Sequence, residues 1–225
     1  MELIASGRAA DVFDAGPGRV LRRYRIPGLD TAKEAEIMQH VARAGYPVPA
    51  VYDADGPDLV LERIEGSSML DALQRAPWRL RRYARQLAEL HARLGAITAP
   101  PGLWQPLGPG TDLMHLDLHP DNVILAPSGP VVIDWTNAAG GTAAADVADT
   151  WLLLACARPV ESSRVLVAAQ RAFAAAFIAA ADRASAREQL HAVFAHRIQD
   201  RNMQPEEVAR MRRLVARETG RDPES

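Results

Sequence analysis

Four residues in the stretch Met114–Trp135, MHLDLHPDNVILAPSGPVVIDW, have the types and spacing of a phosphoryl-transfer site. His115-x-Asp117 is followed by Asn122, the pattern H-x-D-x-x-x-x-N, and then by a second candidate metal ligand, Asp134. Two short apolar runs, Val123-Ile124-Leu125 and Val131-Val132-Ile133, flank the turn-forming cluster Pro127-Ser128-Gly129-Pro130, which predicts a hairpin. Such a hairpin sets Asn122, just before its first strand, beside Asp134, just after its second. One amide and one carboxylate oxygen on adjacent strand ends suit Mg²⁺, which completes its octahedron with phosphates and water. In that chemistry Asp117 orients an attacking hydroxyl and accepts its proton, while Asn122 and Asp134 hold the metal that bridges the nucleotide phosphates. His115 is expected to prop the loop by packing and hydrogen bonding. The stretch also admits a metallohydrolase reading, because His115-x-Asp117-x-His119 alternates like metal ligands on a strand. That reading gives Asn122 and Asp134 no role and lacks a clear set of further His or Cys ligands.

The elements that must position these residues can be read in order. Leu3-Ile4, Asp11–Phe13 and Arg19–Tyr24 read as strands, the first two joined by the small-residue loop Ala5-Ser6-Gly7-Arg8-Ala9-Ala10. A loop of this kind lets backbone N–H groups approach phosphates, although a plain hairpin fits the pattern equally well. Asp30 or Thr31 can cap a helix running through Glu34, Ile37, Met38 and Val41 to Gly45. Val51-Tyr52 and Leu59–Leu61 follow as strands around the turn Asp53–Pro57. From Pro77, Leu80, Tyr83, Leu87, Leu90 and Leu94 form one apolar stripe, with His91 on or beside it as a satisfied, partly buried side chain. Residues 137–142 read as a loop, and 146–157, 161–182, 184–199 and 204–219 as helices, the last stopped by Gly220. Strands with one inserted helix, then a helix-rich remainder, predict an α+β chain. Its expected parts are a nucleotide-binding lobe over residues 1–66 and a helical lobe over 67–225 that carries loop 115–122 and Asp134.

Composition narrows the function classes. At 225 residues the chain is long enough for one large domain or two small lobes, and its apolar and charged fractions are those of a globular protein. A formal charge of −2 argues against a nucleic-acid binder. The single Cys156, in an apolar run, reads as a small buried hydrophobe, and one cysteine allows no internal disulfide. The N-terminus lacks the charged and apolar regions of a leader, and no apolar run spans a bilayer. The expectation is a cytoplasmic protein with no membrane partner; nothing in the sequence fixes its oligomeric state.

HLDLHPDN followed by VVIDW resembles the aminoglycoside phosphotransferase and choline kinase-like family, relatives of the protein kinases. The likeness extends to Ser6–Phe13, similar to the family's nucleotide loop, to Leu59–Gly66, similar to its hinge, and to Leu87–His91, similar to its first large-lobe helix. It covers residues 4–155. The resemblance implies a two-lobed protein kinase-like fold, ATP and Mg²⁺ as cofactors, and a small-molecule alcohol as acceptor. Asp117 would then be the catalytic base, with Asn122 and Asp134 as metal ligands. Ser6 and Gly7 would line the nucleotide phosphates. Arg22 matches the strand position that in kinases holds a phosphate-binding Lys, and Glu34 the helix carboxylate that pairs with it, with Glu36 as a rival. Leu61 would lie behind the adenine, with Glu62 and Ile64 offering backbone groups to its edge. Asp146 matches an Asp that buttresses the catalytic loop, with Asp149 as a rival. Two departures stand out: Arg22 is a larger, forked donor than Lys, and Leu116 replaces the small Gly common in the family's His-Gly-Asp.

The reaction expected is transfer of the ATP γ-phosphoryl group to a hydroxyl of a small molecule, which needs alignment, metal charge and a proton acceptor. A nucleotide-binding pseudokinase or scaffold is the alternative that Arg22 favours. A protein kinase is disfavoured by the short segment after Trp135. From Arg158 to Ser225 there are 12 Arg against 9 Asp or Glu, which is not the acidic basin that a polycationic aminoglycoside would want.

Overall fold

The computed structural model describes the chain except Arg8, Ile26, Pro27, Leu29, residues 157–163, Arg201, Asn202 and residues 224–225. Its N-terminal elements run β1 (Leu3–Ser6), β2 (Ala10–Asp14), β3 (Arg19–Tyr24), α1 (Ala32–Arg43), β4 (Val51–Asp55) and β5 (Asp58–Glu62). In β5 the alternate residues Leu59 and Leu61 are buried, the period-two mark of a strand with one covered face. The five strands form an antiparallel sheet in the order β1-β2-β3-β5-β4. Asp30 Oδ1 accepts the Ala32 N–H at 2.9 Å at the start of α1, and Gly45, at φ 75°, turns the chain out of it. β4 is longer than expected, because Asp53–Asp55 pair with β5 and the turn shrinks to Gly56 and Pro57.

The predicted hairpin is present as β8 (Val123–Ala126) and β9 (Gly129–Val132), with the two-residue β6 (Ser67–Ser68) on the outer side of β8. Its tip is tighter than Pro127–Pro130: Gly129 already pairs with Ala126, at φ 130°. A Cβ on Gly66 would meet the Leu125 carbonyl oxygen at 2.6 Å, so β6 requires glycine before it to lie this close.

By contacts the described residues divide into two units, 1–68 with 121–138 and 69–120 with 139–225. The hairpin, which the sequence reading assigned to the helical lobe, groups with the N-terminal strands. The reason is local: β8 pairs with β6, and the residues after β9 hydrogen-bond to β3 and α1.

The second unit holds α2 (Met69–Arg75), α3 (Leu80–Gly95), a ribbon of β7 (Asp112–Met114) with β10 (Ala139–Gly141), α4 (Ala143–Cys156), α5 (Arg164–Ala180), α6 (Arg183–Arg197) and α7 (Pro205–Thr219). α3 buries Tyr83, Leu87, Leu90 and Leu94 of the expected stripe. α4 is buried over most of its surface and packs against α3, α5, α6 and α7. It begins three residues before the predicted start, because Asp112 Oδ2 accepts the Ala143 N–H and Thr142 Oγ1 the Ala145 N–H, at 2.9 and 3.3 Å. The expected start of α5 at residue 161 lies outside the described residues. Asp182 caps α6, and a Gln204–Glu207 capping box opens α7, which ends at the left-handed Gly220. Among the described residues no single helix is long and apolar enough to cross a membrane.

Candidate active site

Arg22 and Tyr24 lie two residues apart on β3 and meet the same partners. Arg22 donates through Nη1 to Glu34 Oε1 at 2.9 Å and through Nη2 to Asp134 Oδ1 at 2.5 Å. Tyr24 donates its hydroxyl to Glu34 Oε2 at 2.5 Å and lies 2.6 Å from Thr136 Oγ1. The backbone N–H of Trp135 donates to Glu34 Oε1 at 3.1 Å, and Thr136 Oγ1 donates to Asp134 Oδ1 at 2.8 Å. Three donors thus converge on one buried carboxylate, while the rival Glu36 is exposed. Burial pulls the Arg22 guanidinium down, but Glu34 and Asp134 together hold it above its ordinary value. Burial pushes Glu34 up, against the opposing pull of Arg22 and the Tyr24 hydroxyl. Trp135 is wholly buried and meets Tyr46 edge-on, which anchors the chain directly after Asp134.

Asn122 and Asp134 are brought together as the hairpin predicted: the N–H of Ile133 donates to the Asn122 carbonyl at 3.0 Å. Their hard oxygen donors are a pair rather than a cage, and among the described residues no group of three His, Cys, Asp or Glu is placed to hold a metal. Asp134 has φ 65°, a left-handed conformation that Asp tolerates better than most residues.

The loop after β1 is tied by Arg25, which no motif had singled out. Gly7 N–H donates to Ala10 O at 2.8 Å, and Ser6 Oγ to Asp11 Oδ1 at 2.6 Å. Arg25 donates to Ser6 Oγ, to Gly7 O and to Asp11. Arg8, in the middle of this loop, lies outside the described residues. At the expected hinge Leu61 is buried and pairs with Val20 and Val51. The N–H groups of Glu62 and Arg63 donate to Ala50 O and Gly18 O, so the next backbone N–H along the chain is that of Ile64. The Glu62 carboxylate accepts the Ala50 N–H at 3.1 Å.

In the helical unit, both buried aspartates of α4 serve the loop that carries Asp117. Asp146 Oδ1 accepts the N–H groups of His115 and Leu116 at 3.0 and 2.8 Å, and its Oδ2 lies 2.9 Å from His91 Nδ1. Burial pushes the Asp146 carboxyl up, but His91 and the Leu116 N–H outweigh it and hold the group below the usual carboxylate range. Asp149 takes a two-pronged contact from Arg197, Nε and Nη2 each at 2.5 Å, and Arg197 Nη2 also donates to the Leu116 carbonyl at 2.8 Å. Thr150 Oγ1 donates to the Leu118 carbonyl at 2.9 Å. Leu116 is held at φ 58°, a conformation costing a branched residue about 1–2 kcal/mol. Asp117 and His119 are part-exposed, with His119 Nε2 3.6 Å from Asp117 Oδ1, and His115 is fully buried. His91 is a buried partner of Asp146.

Sequence reasoning did not find Tyr24, Thr136, Arg25 or Arg197. Tyr24 was within reach, since period two puts it on the face of Arg22. Arg197, in the last turn of α6, reads like any solvated helix cation.

A model of the phosphotransferase enzyme family matches residues 1–112 and 101–193. Over 124 residues the chain is 32% identical to a probable serine/threonine-protein kinase BUD32 homolog of Archaeoglobus fulgidus, covering 52% of this chain and 53% of that protein. Over 144 residues it is 29% identical to a probable bifunctional tRNA threonylcarbamoyladenosine biosynthesis protein of Methanoculleus marisnigri, covering 59% of this chain and 23% of that one. The chain therefore spans about half of the first relative and about a quarter of the second. Among solved structures it is similar to a thermostable mutant of aminoglycoside phosphotransferase APH(4)-Ia in its apo form, with TM-score 0.67, 16% identity, and 97% and 94% of the two chains covered. Choline kinase LicA from Streptococcus pneumoniae follows, with TM-score 0.59, 14% identity, and 98% and 93% covered. At these identities the likeness is one of fold. It matches the expected α+β, protein kinase-like architecture of an antiparallel β-rich part and a helical part.

Proposed function

The chain belongs to the phosphotransferase enzyme family, and from that premise we propose that it transfers the γ-phosphoryl group of ATP to a hydroxyl of a small molecule. The observation that carries this reading is Arg22, hydrogen-bonded at once to Glu34 and to Asp134. A cation clamped between a helix carboxylate and a candidate metal ligand is the arrangement that positions nucleotide phosphates. In this reading Asn122 and Asp134 hold Mg²⁺; their amide and carboxylate oxygens are the donors that ion prefers, and two protein ligands leave room for phosphates and water. When bound, the ion supplies the positive charge that neutralises the phosphates. Arg22 holds the phosphates, Ser6 and Gly7 lie along them, and Leu61, Glu62 and Ile64 receive the adenine. Asp117, five residues before Asn122, orients the acceptor hydroxyl and takes its proton. His115 and Asp146 set the loop on which Asp117 sits.

A second reading places the acceptor hydroxyl on a macromolecule, and the identity with the BUD32 homolog favours it. One experiment separates the two. Mg-ATP-dependent phosphorylation is screened over sugars, simple alcohols, aminoglycosides, choline-like amines and a protein mixture, with Asp117→Asn as the blank. A small-molecule product absent from the blank supports the first reading. Labelled protein alone supports the second. Full activity in Asp117→Asn overturns the mechanism, and Mg-ATP binding without any acceptor points to a pseudokinase.

A further inference from the structure

A cavity of about 490 Å³ opens in the helical unit between α4, α5 and α7, within the size range of small-molecule sites. Its floor is apolar, made by Trp151, Ile178, Leu214 and alanines of α4 and α5. Its wall is cationic. Arg171 of α5, Arg183 at the start of α6, and Arg210, Arg213 and Arg217 of α7 line it against one acid, Glu218, leaving four positive charges in excess. The α7 arginines stand at i, i+3 and i+7, so they share a face with Leu214. Arg213 and Arg217 are exposed, as are Arg171 and Arg183, so they stand at the rim where the cavity opens to solvent, while Arg210 is half-buried.

Only part of this charge is met from within. Glu218 accepts from Arg183 at 2.6 Å and from Arg217 at 3.1 Å, and Arg183 also lies 5.6 Å from the centre of the Trp151 ring. Among the described residues the exposed side chains of Arg171 and Arg213 make no hydrogen bond or ion pair. Arg210 donates Nε–H to the Cys156 carbonyl at 2.8 Å, but its buried Nη2 has no hydrogen-bond acceptor there, with Glu207 Oε1 4.0 Å away. A buried guanidinium N–H without an acceptor is unfavourable.

We propose that this cavity binds an organic anion, its apolar body on Trp151, Ile178 and Leu214 and its carboxylate or phosphate ester on Arg171, Arg210 and Arg213. Arginine's planar fork suits either headgroup. The guest is separate from the phosphoryl acceptor. The side chains that hold the loop bearing Asp117, namely Asp146, Thr150 and Arg197, are not among those lining the cavity.

The test is calorimetric titration of the full chain with phenyl phosphate, benzoate and phenol. At least one of the two anions should bind saturably, one per chain, and phenol at least tenfold more weakly; which anion binds assigns the headgroup. Saturating Mg-ATP should leave that affinity unchanged. The double variant Arg171→Met/Arg213→Met breaks no hydrogen bond and should weaken binding tenfold or more without altering the melting temperature. Arg210→Met should weaken it in the same direction. Failure of both anions to bind, equal affinity for phenol, displacement by Mg-ATP, or unchanged affinity in the double variant would each overturn the proposal. None of these readouts depends on phosphoryl transfer, so an inactive chain can still pass.

Discussion

The Arg22–Glu34–Asp134 cluster makes an asymmetric prediction about stability. Arg22→Met removes a cation lying between two carboxylates, Glu34 at 2.9 Å and Asp134 at 2.5 Å. It leaves Glu34 buried with only the Tyr24 hydroxyl and the Trp135 N–H among the donors described above. Stripping one partner from a buried pair costs about 3–5 kcal/mol. Glu34→Gln is milder. The amide keeps the shape and can still accept from Trp135, while Arg22 keeps Asp134. The change replaces charge-assisted hydrogen bonds by neutral ones, a loss of about 1–2 kcal/mol. Arg22→Met should therefore destabilise more than Glu34→Gln, by about 2 kcal/mol. The double variant should fall short of the sum of the two by about 1 kcal/mol or more, because both remove the same interaction. Urea unfolding followed by fluorescence reads this directly, since Trp135 is wholly buried beside the cluster. Equal or reversed costs, or additivity within about 0.5 kcal/mol, would show that the cluster does not act as a unit.

Other perturbations address the remaining parts. Asp117→Asn should keep nucleotide binding while turnover falls by roughly 10²–10⁴-fold, whereas Asp134→Ala should also weaken Mg–nucleotide binding; titration calorimetry with Mg-ATP distinguishes them. Asp146 has a folded-state pKa below its unfolded value of about 3.9, so its contribution is complete above about pH 4 and is lost as pH falls through the folded value. The stability gap between the native chain and Asp146→Asn, from urea unfolding at several pH values, should narrow below about pH 4; a constant gap refutes the assignment. A Cβ on Gly110 would meet the Gly141 carbonyl oxygen at 2.0 Å, backbone that cannot swing aside. Gly110→Ala should therefore cost about 1–3 kcal/mol and lower the melting temperature by several degrees.

What was legible in the sequence was whatever local chemistry dictates. The hairpin followed from two apolar runs around a Pro/Gly turn, and with it the pairing of Asn122 and Asp134. α3 followed from its stripe, and the stop of α7 from Gly220. The β7–β10 ribbon was not legible, because Ala139-Gly140-Gly141 has no strand propensity. These residues pair because they are small: a Cβ on Gly141 would meet Met114 Cε at 2.4 Å. In the candidate site, residue types at fixed spacing were readable, and the resemblance supplied Glu34 for Arg22 and Asp146 for the loop, but the links of Arg22 to Asp134 and of Arg197 to Leu116 were not legible. Asp146 was preferred to Asp149 as the brace, but that both brace the same loop by different means was not legible. One takes backbone N–H groups and the other takes Arg197.

Leu116 carries a consequence for the order of events during synthesis. Asp117, Asn122 and Asp134 have all been made by residue 134, so the candidate catalytic and metal-binding residues are complete early. The bend just before Asp117 is not. Leu116 disfavours its left-handed conformation and is held there from two sides, by Asp146 on its N–H and by Arg197, 81 residues downstream, on its carbonyl. A growing chain thus carries all three candidate residues well before it carries the last clamp on the loop of Asp117. Competence should arrive late, as a step when α6 docks, and a ribosome-stalled chain ending before Arg197 should hold every one of those groups and turn over poorly.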